Sequence, residues 1–274
     1  MSTAKVYDLE QPRTKSMPFA IAHKSVGFTY LLHRQHKDVA VSGPTRSGAS
    51  GVLITTEHSG THFDALCHQA LDHKLYGGVE VTPKVETPYG FSVLGIESVP
   101  PLVGRCLLLD VAAVNGGPLE KNHRISAGEL KACCEKEGVL PRKGDIVLVR
   151  TGYGRFWNDE KTYLQAAGVS LEASKWLVQS GVSAVGADNM GFEVDDGKID
   201  PDRKVTLPCH VLLLVENGIF IVENLNLEKL SSDHIFESLL VCGPLKLVGA
   251  TGSPVRPVAI AGLSIPDHFQ SQQL

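Results

Sequence analysis

Residues 57–68, E-H-S-G-T-H-F-D-A-L-C-H, place three histidines and an aspartate within a dozen positions around a Gly-Thr pair. Imidazole nitrogens and carboxylate oxygens are what a catalytic divalent cation takes as ligands. Two imidazoles and one carboxylate on an ion leave coordination positions open, unlike a closed structural site. Val52–Thr56 reads as a strand, and carrying its register forward puts His58, Gly60, His62 and Asp64 on one face. A fully extended chain would hold His58 and His62 about 13 Å apart, too far for one ion with ligand bonds near ~2 Å. The backbone must therefore fold back, and Gly60 is the predicted place, with the Thr61 hydroxyl fastening the turn.

His68, four residues beyond Asp64, is the candidate for proton transfer, since a neutral imidazole can take a proton from water and pass one to a leaving group. It is equally a candidate fourth ligand, and spacing does not separate the two roles. A lone histidine is more often a hydrogen-bonded loop or core residue, and the chain has eleven. Four ligand-type side chains at this spacing outweigh that reading.

A second set lies in P-C-H-V-L-L-L-V-E-N-G-I-F-I-V-E-N-L, residues 208–225. His210 falls in the first turn of a predicted helix and Glu223 at the end of the strand that returns, so the two could reach one site. Taken alone, the pair reads more simply as a capped helix and a surface glutamate.

The elements that must position these residues follow from periodicity and punctuation. Besides Val52–Thr56, short β-branched runs at Cys106–Val114, Asp145–Thr151, Val182–Ala187, Gly218–Val222, Leu245–Gly249 and Val258–Ala261 read as strands. Ser126 and Glu129 have capping-box spacing ahead of a helix over Leu130–Glu137 that Gly138 stops. Ser170 precedes a second, Leu171–Gln179, and a third runs over Cys209–Asn217 to Gly218. Strands alternating with helices predict an α/β or α+β layered domain. The chain reads as one domain over 1–274, with the loop-rich first fifty residues (Pro12, Pro18, Gly43-Pro44, Ser47–Gly51) as an arm or lid over an unspecified target.

Composition narrows the function class. The formal charge of −4 and the scattered Lys and Arg argue against nucleic acid and anionic membrane as partners. The longest apolar run is far below the roughly 20 residues that span a bilayer, and no h-region opens the chain, so a soluble cytoplasmic protein is expected. Six cysteines without C-x-x-C pairs suggest reduced thiols and argue against a thiolate zinc site. No G-x-S-x-G elbow supports a serine hydrolase.

The chain resembles the cyclase family of metal-dependent hydrolases, which includes bacterial kynurenine formamidase and isatin hydrolase. Its signature H-x-G-T-H-x-D-x-P-x-H is matched by His58, Gly60, Thr61, His62, Asp64 and His68, with Leu66 in place of the proline. V-L-V-R-T-G-Y (147–153), A-V-G-A-D-N-M (184–190), residues 210–225 and P-L-K-L-V-G-A-T-G-S-P-V-R (244–256) also look like family blocks. The resemblance implies a mixed sheet flanked by helices in a swivelling β/β/α-like architecture. It implies that His58, His62 and Asp64 hold a catalytic metal and that His68 is the acid/base. His210 and Glu223 match the formamidase residues that bind a second ion with a bridging aspartate, whereas the isatin hydrolase branch uses a single manganese. One or two Zn2+ or Mn2+ ions per subunit and a homodimer or homotetramer are therefore expected.

The function expected is hydrolysis of an amide, lactam or lactone of a small aromatic or cyclic substrate by metal-activated water. Phe63, Tyr153 and Trp157 are candidate walls for a flat substrate. Two rivals remain. His62-x-Asp64 with His210 has the pattern of a 2-His-1-carboxylate iron oxygenase, although helices between strands and the extra His58 argue against it. A metal-dependent binding protein without turnover is the other.

Overall fold

The computed structural model describes residues 4–38, 43 and 46–263; Pro44 of the Gly43-Pro44 signal lies outside them. Its strands are β1 (Lys5–Asp8), β2 (Phe28–Arg34), β3 (Ser50–Thr55), β4 (His62–Asp64), β5 (Leu102–Leu109), β6 (Ile146–Val149), β7 (Ala184–Ala187), β8 (Phe220–Glu223), β9 (Glu237–Cys242), β10 (Gly252–Pro254) and β11 (Val258–Ala261), besides several two-residue pairings. Nine form one mixed sheet in the order β1-β11-β9-β5-β6-β7-β8-β4-β10. The α/β class expected from the alternation is what the structure has.

β5, β6, β7 and β8 run parallel at the centre, and the remaining strands flank them antiparallel. Ile146–Val149 and Ala184–Ala187 are buried throughout, as parallel strands covered on both faces must be, which explains why they read as unbroken apolar runs. Helix α1 (Ala127–Glu137) starts at the predicted capping box, Ser126 Oγ accepting from Glu129 N and Glu129 Oε2 from Ser126 N. It ends at Gly138 in the left-handed region. Helix α2 (Leu171–Gln179) is capped by Ser170.

Three expected strands differ. Cys106–Val114 is a strand only to Leu109, because the Asp110 carboxylate accepts from Ala113 N and opens a helical turn at Val111. Leu245–Gly249 is a loop, folded against Phe91 through Gly249 O and ending with Gly249 at φ +75°. Val52–Thr56 does become a strand, but in a separate two-stranded ribbon with β2, so its register does not continue into β4.

The first fifty residues divide accordingly. Lys5–Asp8 is the edge strand of the sheet, residues 28–34 form half of the ribbon, and the turn at Ile21–His23 between them sits over the metal-ligand candidates. All six cysteines are buried and unpaired. Among the described residues, no helix is long and apolar enough to cross a membrane.

Candidate metal centre

The chain leaves β3, turns through residues 56–61 and enters β4 at His62. Gly60 supplies the turn with φ +60°, a region costly for a side chain. The Arg13 guanidinium donates to the carbonyls of Ser59 and Thr61, clamping the turn from outside. Thr61 fastens it as expected: Oγ1 donates to Asn224 O at 2.7 Å and accepts from Gln11 N at 2.9 Å.

β4 then lies between β8 and β10, with His62 opposite Glu223 and Asp64 opposite Gly252. Residues two apart share a strand face, so His62 and Asp64 point together, and the cross-strand pairing adds Glu223. Gly252 leaves the space that the His58 ring fills; a Cβ there would lie 2.6 Å from its Cε1. His210 comes from Pro208–His210, with Pro at a helix start, which continues as a π-helical turn over Val211–Glu216. Thus His58, His62, Asp64, His210 and Glu223 meet in one place, all nearly fully buried. The simpler reading of Glu223 as a surface residue does not hold.

The protons of the three histidine rings can be assigned from their partners' chemistry. His62 Nδ1 donates to Gly60 O at 2.8 Å, and His210 Nδ1 donates to Glu193 Oε1 at 2.9 Å. Thr251 Oγ1 donates to the Glu57 carboxylate and so accepts from His58 Nε2, 2.7 Å away. Each ring therefore turns a bare nitrogen inward, where it meets carboxylate oxygens. His58 Nδ1 is 2.9 Å from Asp64 Oδ1, His62 Nε2 is 3.5 Å from both Asp64 Oδ1 and Glu223 Oε2, and His210 Nε2 is 3.7 Å from Asp64 Oδ2 and 3.1 Å from Glu223 Oε1.

Buried lone pairs facing lone pairs are unfavourable unless a cation lies among them. Ligand bonds of about 2.0–2.2 Å would set donors about 3–3.5 Å apart, close to these separations. Asp64 Oδ2 and Glu223 Oε1 are also buried without a hydrogen-bond partner. The two short groupings of potential ligands, His58–Asp64–His68 and His62–Asp64–Glu223, share Asp64. By charge, geometry and unsatisfied valence, these residues fit a divalent metal.

The titration directions describe these groups without a metal. Burial, then the charge of His62, lowers the His58 pKa well below its ordinary value. Burial lifts Asp64 above the usual carboxylate range. For His210, burial favours the neutral ring, but hydrogen bonds to and the charges of Glu193 and Glu223 overcome it and raise the pKa well above 6.5. Without a metal, a second proton on His210 would thus occupy the gap at Glu223 Oε1; neutral His210 has no hydrogen to offer there. A metal ion would take that proton's place.

His68 stacks on His58 with centroids 3.9 Å apart, and its Nε2 lies 3.1 Å from the Gln69 amide nitrogen. Burial, then neighbouring His58, pushes its pKa down to about 3, so the ring is neutral near pH 7.

The candidate substrate walls are not at the site. Phe63 alternates with His62 and Asp64 on β4 and so points into the core against Phe220, 5.2 Å away. Tyr153 packs on Phe156, while Trp157 donates to Pro12 O and packs edge-on to Tyr163. Leu66, where the signature has proline, is buried in the core.

Sequence reasoning missed four residues. Glu193 orients His210 and also accepts from the backbone of Cys209 and His210. Thr251 orients His58, Gln69 contacts His68, and His23 stacks on His58 at 5.4 Å. Glu193 alone carried a signal, as an acid between the apolar residues Phe192 and Val194.

Two neighbouring chambers border the site. The inner one, about 240 Å3, is walled by the ligand candidates, His68, Ala22, His23 and Met190. The outer one, about 840 Å3, shares only His23, His58 and His68 with it.

A family model described as a putative cyclase matches residues 7–194. Isatin hydrolase of Roseibium aggregatum is 24% identical over 76% of this chain and 73% of its own length. Kynurenine formamidase of Sphingopyxis alaskensis is 25% identical over 93% and 97%. A crystal structure of a novel cyclase superimposes with a TM-score of 0.83 at 26% identity, covering 94% of this chain and 87% of that one.

Proposed function

Because the chain belongs to the cyclase family, whose members similar to it include a kynurenine formamidase and an isatin hydrolase, we propose that it is a metal-dependent hydrolase of a small substrate's amide, lactam or lactone bond. The observation that carries this reading is the convergence of three imidazole nitrogens on two buried carboxylates, two of whose oxygens have no partner.

His58, His62, Asp64, His210 and Glu223 would hold two divalent ions, Zn2+ or Mn2+, through donor groups that share Asp64. Such an ion lowers the pKa of a bound water toward about 7 and polarises a carbonyl. The chain's own residues do the rest. His68, stacked on His58 at the edge of the centre, is the residue placed to take a proton from the attacking water and return it to the leaving nitrogen or oxygen. Gln69 holds its ring, and Glu193 and Thr251 hold His210 and His58 in the tautomers that face inward. The turn at Ile21–His23 puts Ala22 and His23 in the wall of the inner chamber.

A homodimer or homotetramer is part of the proposal. The isolated β2–β3 ribbon leaves Tyr30, Leu31 and Leu32 about half exposed, and a lone two-stranded ribbon is only marginally stable in water. Light scattering tests it.

The functional test is a panel of aryl formamides, isatins and lactones with protein stripped and then reloaded with Zn2+ or Mn2+. Turnover that requires the metal supports the proposal. Stoichiometric oxygen uptake would favour the iron oxygenase, and metal binding without turnover a binding protein.

A further inference from the structure

The outer chamber differs from the inner in chemistry as well as size. Leu53 and Ile54 of β3, Phe91, and Leu245 and Leu247 of the loop before β10 line it. These belong to three separate segments, yet Leu53, Ile54, Leu245 and Leu247 are each 40% or more exposed, an unusual clustering of open apolar side chains around one cavity. The loop is fixed rather than loose: Gly249 O accepts from Phe91 N and Gly249 N donates to Glu97.

The charged groups on the outer wall beyond the shared histidines are Glu57 and Glu86, and no lysine or arginine lines the chamber. Residues 1–3, 39–42, 44–45 and 264–274 contain none either. Lys246 is exposed between Leu245 and Leu247 and is not part of the lining. A volume of about 840 Å3 is at the upper end of the ~300–1,000 Å3 range of small-molecule sites.

We propose that this chamber selects a neutral, elongated substrate whose apolar tail lies among Leu53, Ile54, Phe91, Leu245 and Leu247 while its carbonyl end enters the inner chamber past His58 and His68, and that it rejects substrates with a carboxylate on the tail. The inference rests on the hydrolase reading for which end reacts. The selectivity itself follows from the lining: a tail methylene gains by leaving water, whereas a carboxylate would lose hydration beside Glu57 and Glu86 with no cation to replace it.

The test has two arms on the metal-loaded, full-length protein. In the first, kcat/KM is compared among formanilide, N-formyl-4-butylaniline and N-formyl-4-aminobenzoate. The butyl compound should exceed formanilide at least about tenfold, and the carboxylate should fall at least about tenfold below it. Leu247→Lys should narrow the gap between butyl and carboxylate compounds by raising the carboxylate's kcat/KM. The second arm needs no turnover: calorimetric binding of the non-hydrolysable ketones 4-butylacetophenone and 4-acetylbenzoate should favour the butyl ketone at least about tenfold. That order without hydrolysis of these formamides or of the isatins and lactones would support the chamber's selectivity while overturning the hydrolase reading. Equal or tighter binding of 4-acetylbenzoate, or equal kcat/KM for butyl and carboxylate formamides, would overturn the inference.

Discussion

Gly60→Ala puts the local geometry under the most direct stress. A Cβ at Gly60 would lie 2.6 Å from Arg13 Nη1 and 3.0 Å from its Cζ, and φ there is +60°. A left-handed alanine costs about 1–2 kcal/mol. Arg13 cannot simply swing away, because its side chain is largely buried, paired with Glu10 and donating to Ser59 O and Thr61 O. Displacing it forfeits charge-assisted hydrogen bonds worth about 1.5–3 kcal/mol. The sum, about 2.5–5 kcal/mol, corresponds to a fall in Tm on the order of 5–15 °C for a chain of this size. In an Arg13→Ala background the clash is gone, and the same substitution should cost only the backbone part, about 1–2 kcal/mol. Thermal and urea unfolding of chelator-treated protein measures all four corners of this cycle. Gly60→Ala within about 0.5 kcal/mol of wild type, or equally costly in both backgrounds, would refute the claim that this glycine and its clamp set the turn.

Other outcomes follow from the same structure. Glu193→Gln should leave the fold intact but weaken metal binding roughly 10–100-fold, since His210 loses the carboxylate that fixes its tautomer; a chelator-competition titration reads this, and unchanged affinity would count against the role. His68→Ala should retain metal and lose about 10²-fold or more in kcat, whereas near-normal kcat would remove it as proton carrier. Burial, with Asp110 nearby, pushes the Glu137 carboxyl up to about 7, and its Oε2 has no partner. Because the folded state holds this proton between about 4.5 and 7 while the unfolded chain does not, the stability it contributes is present below pH 4.5 and is lost as pH rises to 7. Glu137→Gln should therefore stabilise by about 1 kcal/mol more at pH 8 than at pH 4.5, after allowance for partial exposure; urea midpoints with no such difference would contradict the pKa.

How much of this was legible depended on distance along the chain. The His58–Asp64 cluster sits within one turn and one strand, so spacing alone exposed both the ligand set and the need for a reversal at Gly60. His210 and Glu223 were harder. Their approach to the first cluster requires β8 to pair with β4, a long-range choice that periodicity does not encode; the helix-and-strand reading put the two near each other, and the family resemblance gave them a ligand role. Glu193, Thr251 and His23 act through contacts between distant segments, and nothing in their neighbourhoods sets them apart strongly. The aromatic walls failed for a reason the sequence did contain: Phe63 lies between two residues that face the site, so strand alternation sends it into the core. The broad class of the fold was readable because buried parallel strands and well-capped helices declare themselves locally. Leu245–Gly249 misled because its apolar residues face a chamber rather than a sheet.

The property proposed for the centre is that it holds a divalent cation through Asp64. Elemental analysis of the purified protein beside Asp64→Asn, each incubated with Zn2+ or Mn2+ and dialysed, measures this directly. The expected result is close to two equivalents of metal in the wild-type chain and loss of most of it in the variant, with secondary structure unchanged. A wild-type protein that retains no metal, or an Asp64→Asn variant that keeps its full complement, would contradict it.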